Sequence, residues 1–260
     1  MLRAMAGLTT EIVDSGVYVV RLQRPKANTF DLALMKSVRE AVADAVARDD
    51  VRALVITGDG KFFSAGLDFA ALQQALMSGP EAGVGFGASM RETFLALWQC
   101  SKPTVAAVNG HAIAAGLFLA LCCDFRYVVQ GDAKFAVNEL LFGAGFPPIA
   151  IELGRWTMGR DFAKVILGAQ HYDWEAGLAN NTFHDHADSH EQLLAAAIER
   201  AAALGAMPAA SYAHVKTQLI APHLERVLAE TPEHAAKTSA IYTSPESLAT
   251  MQKFLAGGMR

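Results

Sequence analysis

Two β-rich runs open the chain, Thr10 to Val13 and Val17 to Gln23, and Asp14-Ser15-Gly16 between them predicts a hairpin. After Pro25, Asp31 stands as an N-cap before apolar residues at helical spacing, Met35, Val38, Val42 and Ala45. An amphipathic helix is therefore expected up to Arg48-Asp49-Asp50. Ala53 to Thr57 is an apolar run closed by Gly58-Asp59-Gly60, the pattern of a buried strand. Gly79, Gly83, Gly85 and Gly87 predict a mobile loop, and a helix is expected from about Ser89 to Gln99, with Met90, Phe94, Leu97 and Trp98 on its core side. Thr104 to Val108 predicts a second buried strand, Asn109-Gly110 a turn, and Ile113 to Cys123 an apolar helix that opens on small residues.

Beyond it, Phe125 to Val129 and Lys134 to Val137 read as strands. Ile149 to Met158, Asp161 to Leu167 and Asp173 to Ala179 read as helices, the first two separated by Gly159. From Ser189 the pattern is helical throughout. Ser189 and Gln192 have capping-box spacing, and Pro208, Pro232 and Pro245 mark further helix starts. So little chain can hardly close a core of its own, so these helices are expected to pack on the preceding domain or on another subunit.

Two stretches repeat each other. Thr57-Gly58 followed by Ala65-Gly66-Leu67 matches Asn109-Gly110 followed by Ala115-Gly116-Leu117. Each is a strand, a glycine turn and an Ala-Gly-Leu that leads into a helix, as expected of successive βα units in one sheet. Two such turns could aim backbone N–H groups at one point; the tripeptides by themselves favour the plainer reading, tight strand-to-helix packing. Glu139, amid Phe135, Val137, Leu140, Leu141 and Phe142, is either exposed at a turn or held in an apolar pocket. The rarity of buried glutamate favours the turn, whereas a pocket would raise its pKa and suit a base that must return its proton.

Composition narrows the partners. The chain has 260 residues, 52% hydrophobic and 18% charged, with a formal net charge of −4, so no nucleic-acid partner is expected. Asn109-Gly110 divides the apolar window from Val105 to Cys123, leaving neither half long enough to span a membrane. Met1 to Leu8 has no apolar core of a signal peptide, and Cys100, Cys122 and Cys123 lack metal-like spacing. Buried, reduced thiols in a cytoplasmic protein are expected. His184, His186 and His190 alternate with Asp185 and Asp188 as a solvated surface does, and no metal site is expected there. The glycine-rich stretch from Gly79 lacks the Walker pattern of a phosphate loop.

Together these residues resemble the crotonase superfamily, the enoyl-CoA hydratase and isomerase group. Phe63-Ser64-Ala65-Gly66-Leu67-Asp68 is similar to its first oxyanion-hole segment, and Lys102-Pro103-Thr104-Val105-Ala106-Ala107-Val108-Asn109-Gly110-His111-Ala112 through Asp124 to its second. The Asn138-Glu139 region and the Met158-Gly159 helix pair follow in order, so the likeness covers nearly the whole chain. It implies an α/β spiral of ββα units over residues 1–200, carrying an acyl-CoA site, and a helical region over 201–260 that supports homotrimers or hexamers. It also implies backbone donors at Leu67 and Ala115, with Ala65, Gly66, Asp68, Gly116, Phe118 and Asn138 around the substrate. The tail from Lys253 to Arg260 would by analogy reach the CoA of a neighbouring subunit.

Family hydratases carry two glutamates. Here the first position is Phe118 and the second is Glu139, a pattern that resembles the Δ3,Δ2-enoyl-CoA isomerases. The resemblance implies single-glutamate proton transfer, with no cofactor beyond the coenzyme A of the substrate. Open alternatives are a hydratase, thioesterase or decarboxylase that recruits another group, with Asp68 and Glu152 as candidates. A non-catalytic acyl-CoA binder or an RNA-binding relative is a further alternative, the latter disfavoured by the acidic charge.

Overall fold

The structure is a computed structural model that describes residues 2–257. Met1 and the last part of the tail expected to reach a neighbour's CoA, residues 258–260, lie outside the described residues. Short β1 (Arg3–Met5) leads into β2 (Leu8–Ile12) and β3 (Val17–Leu22), the expected antiparallel hairpin. α1 (Leu32–Ala47) follows, with the Asp31 carboxylate accepting from the Leu34 amide as its N-cap. Then come β4 (Ala53–Gly58), β5 (Phe62–Ser64), α2 (Phe69–Met77), α3 (Pro80–Trp98), β6 (Thr104–Val108), β7 (His111–Ile113) and α4 (Ala115–Leu121). β8 (Phe125–Val129), β9 (Phe135–Ala136), a 3-10 turn (Glu139–Phe142), α5 (Pro148–Met158), α6 (Asp161–Gly168) and α7 (Trp174–Ala179) continue the chain. It closes with β10 (Asp185–Ala187), α8 (His190–Gly205), α9 (Ala209–Leu228), α10 (Pro232–Tyr242) and α11 (Pro245–Gly257).

Seven strands form one sheet in the order β1-β2-β3-β4-β6-β8-β10, parallel from β3 onward. Its central strands β4 and β6 are buried at every position because both faces are covered. Tyr18, Val20, Leu54, Ile56, Ala106 and Val108 point into the main core, whereas Val17, Val19, Ala53, Val55, Val105 and Ala107 point at Leu193, Ala197, Ala201 and Leu204 of α8. Strands β5, β7 and β9 make a second, smaller parallel sheet. The chain thus repeats one unit, a strand in the large sheet, a short strand in the small one, then a helical turn or helix. This is the expected spiral of ββα units. Residue 200, the expected end of the spiral, falls inside α8, and α9 packs along α5.

Two expectations are corrected. The stretch from Gly79 to Gly87 is helix, not loop: α3 begins at Pro80, the favoured first helical position, and Phe86, Met90, Phe94 and Leu97 bury one stripe that offsets the cost of its glycines. His111 to Ile113 is a strand, so the helix expected from Ile113 starts at Ala115. The histidines of the 184–190 stretch diverge: the ring of His184 lies against the Arg126 guanidinium, His186 packs on Trp174, and Asp185 to Ala187 pair with β8. Among the described residues no single helix is long and apolar enough to cross a membrane.

Candidate active site

The small sheet organises the site. Each of its three parallel strands leads into one of the segments singled out in the sequence: β5 directly into Ala65-Gly66-Leu67, β7 directly into Ala114-Ala115-Gly116, and β9, through Val137, into Asn138-Glu139. Carboxyl ends of parallel strands are where α/β sheets place ligands.

The first segment is braced from Ala27 to Phe30. The Asn28 side chain donates to the Phe62 carbonyl at 2.9 Å, and Ser64 Oγ donates to the Asn28 carbonyl at 2.8 Å. The Ala65 amide donates to the Ala27 carbonyl at 2.9 Å. Phe30 donates to the Gly66 carbonyl at 2.8 Å and accepts from the Asp68 amide at 2.9 Å. Extended backbone alternates the edge to which its polar groups point, so the Leu67 N–H faces away from Phe30. The second segment turns on Ala114, whose φ of 53° and ψ of −127° lie in a region that favours glycine. Its own amide is held by the Ala136 carbonyl at 2.8 Å, and the chain then turns directly into α4, leaving the Ala115 amide in the unpaired first turn. Among the described residues neither the Leu67 nor the Ala115 N–H has a hydrogen-bond acceptor.

Glycine brings the two segments together. A Cβ on Gly116 would sit 2.1 Å from the Ser64 carbonyl oxygen, and one on Gly66 would lie 2.9 Å from the Ile113 oxygen and 3.3 Å from the Ala115 nitrogen. Gly66 also has φ of +90°. Close packing, the plainer of the two readings of these glycines, is therefore what sets the two free amides side by side. Asn109 ties the preceding turns, accepting from the Gly58 amide at 2.8 Å and donating to the Gly60 carbonyl at 3.0 Å.

Glu139 is buried, against the turn reading that its residue type favoured. β9 carries the chain inward at Phe135 and Val137, and the 3-10 turn is roofed by Ser247 of α11, whose Oγ donates to the Gly143 carbonyl at 2.7 Å. Burial pushes the Glu139 carboxyl up to about 8, against a smaller downward pull from the amides of Glu139 and Asn138. Its Oε2 and the Oδ1 of neighbouring Asn138 are buried with no hydrogen-bond partner among the described residues. Phe118 is buried with its ring 6.2 Å from Phe146 and 6.3 Å from Phe94.

The two other candidate carboxylates are committed elsewhere. Asp68 caps α2 through the Ala71 amide at 3.1 Å and pairs with Arg24 at 2.6 Å. Burial pushes its carboxyl up, but these partners outweigh it and hold the group below the usual range. Glu152 on α5 is buried and bonded to Arg155 at 2.7 Å, His223 at 2.7 Å and Arg226 at 3.1 Å. Its carboxyl likewise ends below the usual range, since these three bonds outweigh desolvation. One residue that the sequence reading did not single out shares these surroundings: burial, with the Glu139 charge as a smaller contribution, pushes the Tyr242 hydroxyl of α10 up.

The enoyl-CoA hydratase/isomerase family model matches residues 13–255. A Mycobacterium tuberculosis protein named a probable enoyl-CoA hydratase is 35% identical over 177 residues, 66% of this chain and 65% of that protein. The match thus spans just under two thirds of that relative, and 61% of a similar protein from Thermus thermophilus. Among solved structures, an enoyl-CoA isomerase from Mycobacterium tuberculosis superposes with a TM-score of 0.77 at 26% identity, over 92% of this chain and 98% of that one. Human mitochondrial Δ3,Δ2-enoyl-CoA isomerase superposes with a TM-score of 0.88 over 96% of this chain and 97% of that one, a likeness of fold at 20% identity. With both Ala-Gly-Leu turns packed against each other at the site and the family model spanning nearly its full length, the chain belongs to the enoyl-CoA hydratase/isomerase family, the crotonase superfamily.

Proposed function

We propose that the chain shifts the double bond of a 3-enoyl-CoA to the 2-trans position. One observation carries the reading: the site offers a single isolated carboxyl, Glu139, with the apolar Phe118 where a second would be required for hydration. The Glu139 carboxylate removes a proton from C2 of the thioester, the electrons move into a dienolate, and the same carboxyl returns the proton at C4. A group that alternates between base and acid works best with a pKa near the working pH, and burial brings Glu139 to about 8. The dienolate oxygen accepts from the Leu67 and Ala115 amides, each preorganised donor contributing roughly 3 kcal/mol in a water-poor site. Ala65, Gly66, Asp68, Gly116 and Asn138 shape the surrounding wall, and Phe118 helps keep water from the β-carbon. The route is redox-neutral and uses only the coenzyme A that arrives with the substrate. Leu140, Leu141 and Ile241, exposed around the roof of the turn, suit burial between protomers of a homotrimer or hexamer.

A second reading, hydration, is favoured by the names of the Mycobacterium and Thermus relatives. Offering crotonyl-CoA and 3-hexenoyl-CoA to the pure protein separates the two. Isomerisation of the second without rapid hydration of the first is expected; the opposite result overturns the proposal. Glu139→Gln is expected to lower turnover at least about a thousandfold while CoA-ester binding persists. Unchanged turnover would move the base to another residue.

A further inference from the structure

Four consecutive amides follow β5, and three of them have acceptors. The Ala65 N–H donates to the Ala27 carbonyl at 2.9 Å, the Gly66 N–H to Ser64 Oγ at 3.2 Å, and the Asp68 N–H to the Phe30 carbonyl at 2.9 Å. Of the four, the Leu67 N–H alone is left without one among the described residues. The first and last acceptors are main-chain carbonyls, which any sequence supplies. The middle one is a side chain, so it depends on residue 64 being a serine.

Ser64 is fully buried, and its hydroxyl is satisfied on both sides. It accepts from the Gly66 amide and donates to the Asn28 carbonyl at 2.8 Å, which fixes it in one orientation. That far anchor is itself held, since Asn28 Oδ1 accepts from the Arg24 amide at 2.9 Å and Asn28 Nδ2 donates to the Phe62 carbonyl at 2.9 Å. The hydroxyl thus stitches Gly66, at φ of +90°, across to the 27–30 segment. The same serine faces the second segment. It pairs with Ala112 of β7, and a Cβ on Gly116 would lie 2.1 Å from its carbonyl oxygen and 2.8 Å from its Cβ. Ser64 therefore holds the turn that carries Leu67 and packs on the first turn of α4, which carries Ala115.

We propose that Ser64 is a positioning residue for the pair of free amides: its hydroxyl fixes the Gly66 peptide so that the next N–H, that of Leu67, converges with the N–H of Ala115. The inference rests on the reading of these two amides as donors to the thioester oxygen, and it holds whichever reaction follows. Without the hydroxyl the Gly66 N–H is buried with no acceptor, and glycine leaves the adjoining peptides free to turn toward one. A donor displaced by about 1 Å loses much of its effect on the reaction.

The test compares Ser64→Ala, which removes the hydroxyl, with Ser64→Cys, which supplies a weaker donor and acceptor in its place. Hexanoyl-CoA labelled with carbon-13 at the thioester carbonyl has no double bond to move or hydrate, so its infrared carbonyl stretch reports the donors alone. Bound to the wild type, the stretch is expected to fall below its position in water. In Ser64→Ala that shift is expected to shrink to roughly half, as for the loss of one donor of two, and in Ser64→Cys to lie between. With 3-hexenoyl-CoA, Ser64→Ala is expected to lower kcat at least about tenfold and to leave KM within about twofold, with partial recovery in Ser64→Cys, because the donors act more on the dienolate than on the bound ester. Asp124→Ala, which alters a carboxylate beyond the other end of α4, serves as the control for general loosening and is expected to keep the wild-type shift. An unchanged stretch in Ser64→Ala, or an equal loss in Asp124→Ala, overturns the proposal. An unshifted stretch in the wild type defeats the amide reading and the proposal with it. Carbonyl shifts as expected without turnover of 3-hexenoyl-CoA would defeat the isomerase assignment and still support the role of Ser64.

Discussion

Glu139 shows how a functional residue is set against the stability of its own fold. Its carboxyl titrates near its ordinary value of 4.5 when unfolded and at about 8 when folded. Below the lower value both states hold the proton and burial of the group adds no ionisation penalty. As pH rises towards 8 the unfolded chain ionises freely and the fold does not, so stability falls across this window and levels off above it. The penalty at high pH is on the order of 5 kcal/mol. Glu139→Gln is thus expected to melt with the wild type near pH 4 and roughly 10 °C above it at pH 9, the variant gaining stability as it loses turnover. Coincident melting at both pH values would show that the carboxyl is not held in an apolar site. From the residues alone the burial of Glu139 could not be read, because the roof that hides it, Ser247 and α10, comes from a hundred residues further along the chain. The resemblance to the family's catalytic segment named the residue; the tertiary contact explains its pKa.

At the scale of elements, the large-sheet strands and the capped helices were legible because each carries a local signature. Asp31, Asp173 and Ser189 all cap the helices they were expected to start, and Ala53 to Thr57 and Thr104 to Val108 lie side by side as parallel strands. Of the small sheet only β9 was legible, within Lys134 to Val137; β5 and β7 were not, since they are three residues long and leave no periodicity to detect. Yet it is this sheet that aligns the three site segments. Glycines at the two kinds of position behave oppositely. At Gly116 an added methyl meets the Ser64 carbonyl at 2.1 Å, so Gly116→Ala is expected to force the two amide segments apart, lowering kcat/KM roughly a hundredfold with a drop in melting temperature. At Gly85 and Gly87 an added methyl meets nothing within 4 Å. Alanine there is expected to stabilise α3 by about 1 kcal/mol each and to raise the melting temperature by roughly 2 °C per site. These same glycines led the sequence reading to a loop; a helix forms despite them because Phe86, Met90 and Phe94 bury their side chains in the core.

At the scale of the whole molecule, the helical tail was expected to pack on the preceding domain or on another subunit, and α9 is anchored on the preceding domain. Asp124, at the end of the second repeated stretch, pairs with Lys216 of α9 at 2.8 Å, accepts from the Tyr212 hydroxyl at 3.0 Å and holds the Thr104 amide at 2.9 Å. Asp124→Ala leaves Lys216 buried without its partner and is expected to cost about 3 kcal/mol, read as a lower urea midpoint. Amide exchange in α9 to α11 should quicken more than in the sheet, and uniform exchange across the molecule would show that the tail is not a separate unit. The sequence suggested a tail that needs a surface to pack on, but neither which surface nor which residues hold it, because Asp124 and Lys216 stand 92 positions apart. The free amides of Leu67 and Ala115 carry one more consequence. Their direction is set by the path of the chain through Phe30, Ala114 and Ala136, not by either side chain. Of all substitutions at these two positions only proline removes an N–H group. Within the space available, Leu67 and Ala115 can therefore be exchanged to fit a different acyl group while the contact proposed for the substrate oxygen stays in place, so specificity in this chain can drift without dismantling the chemistry.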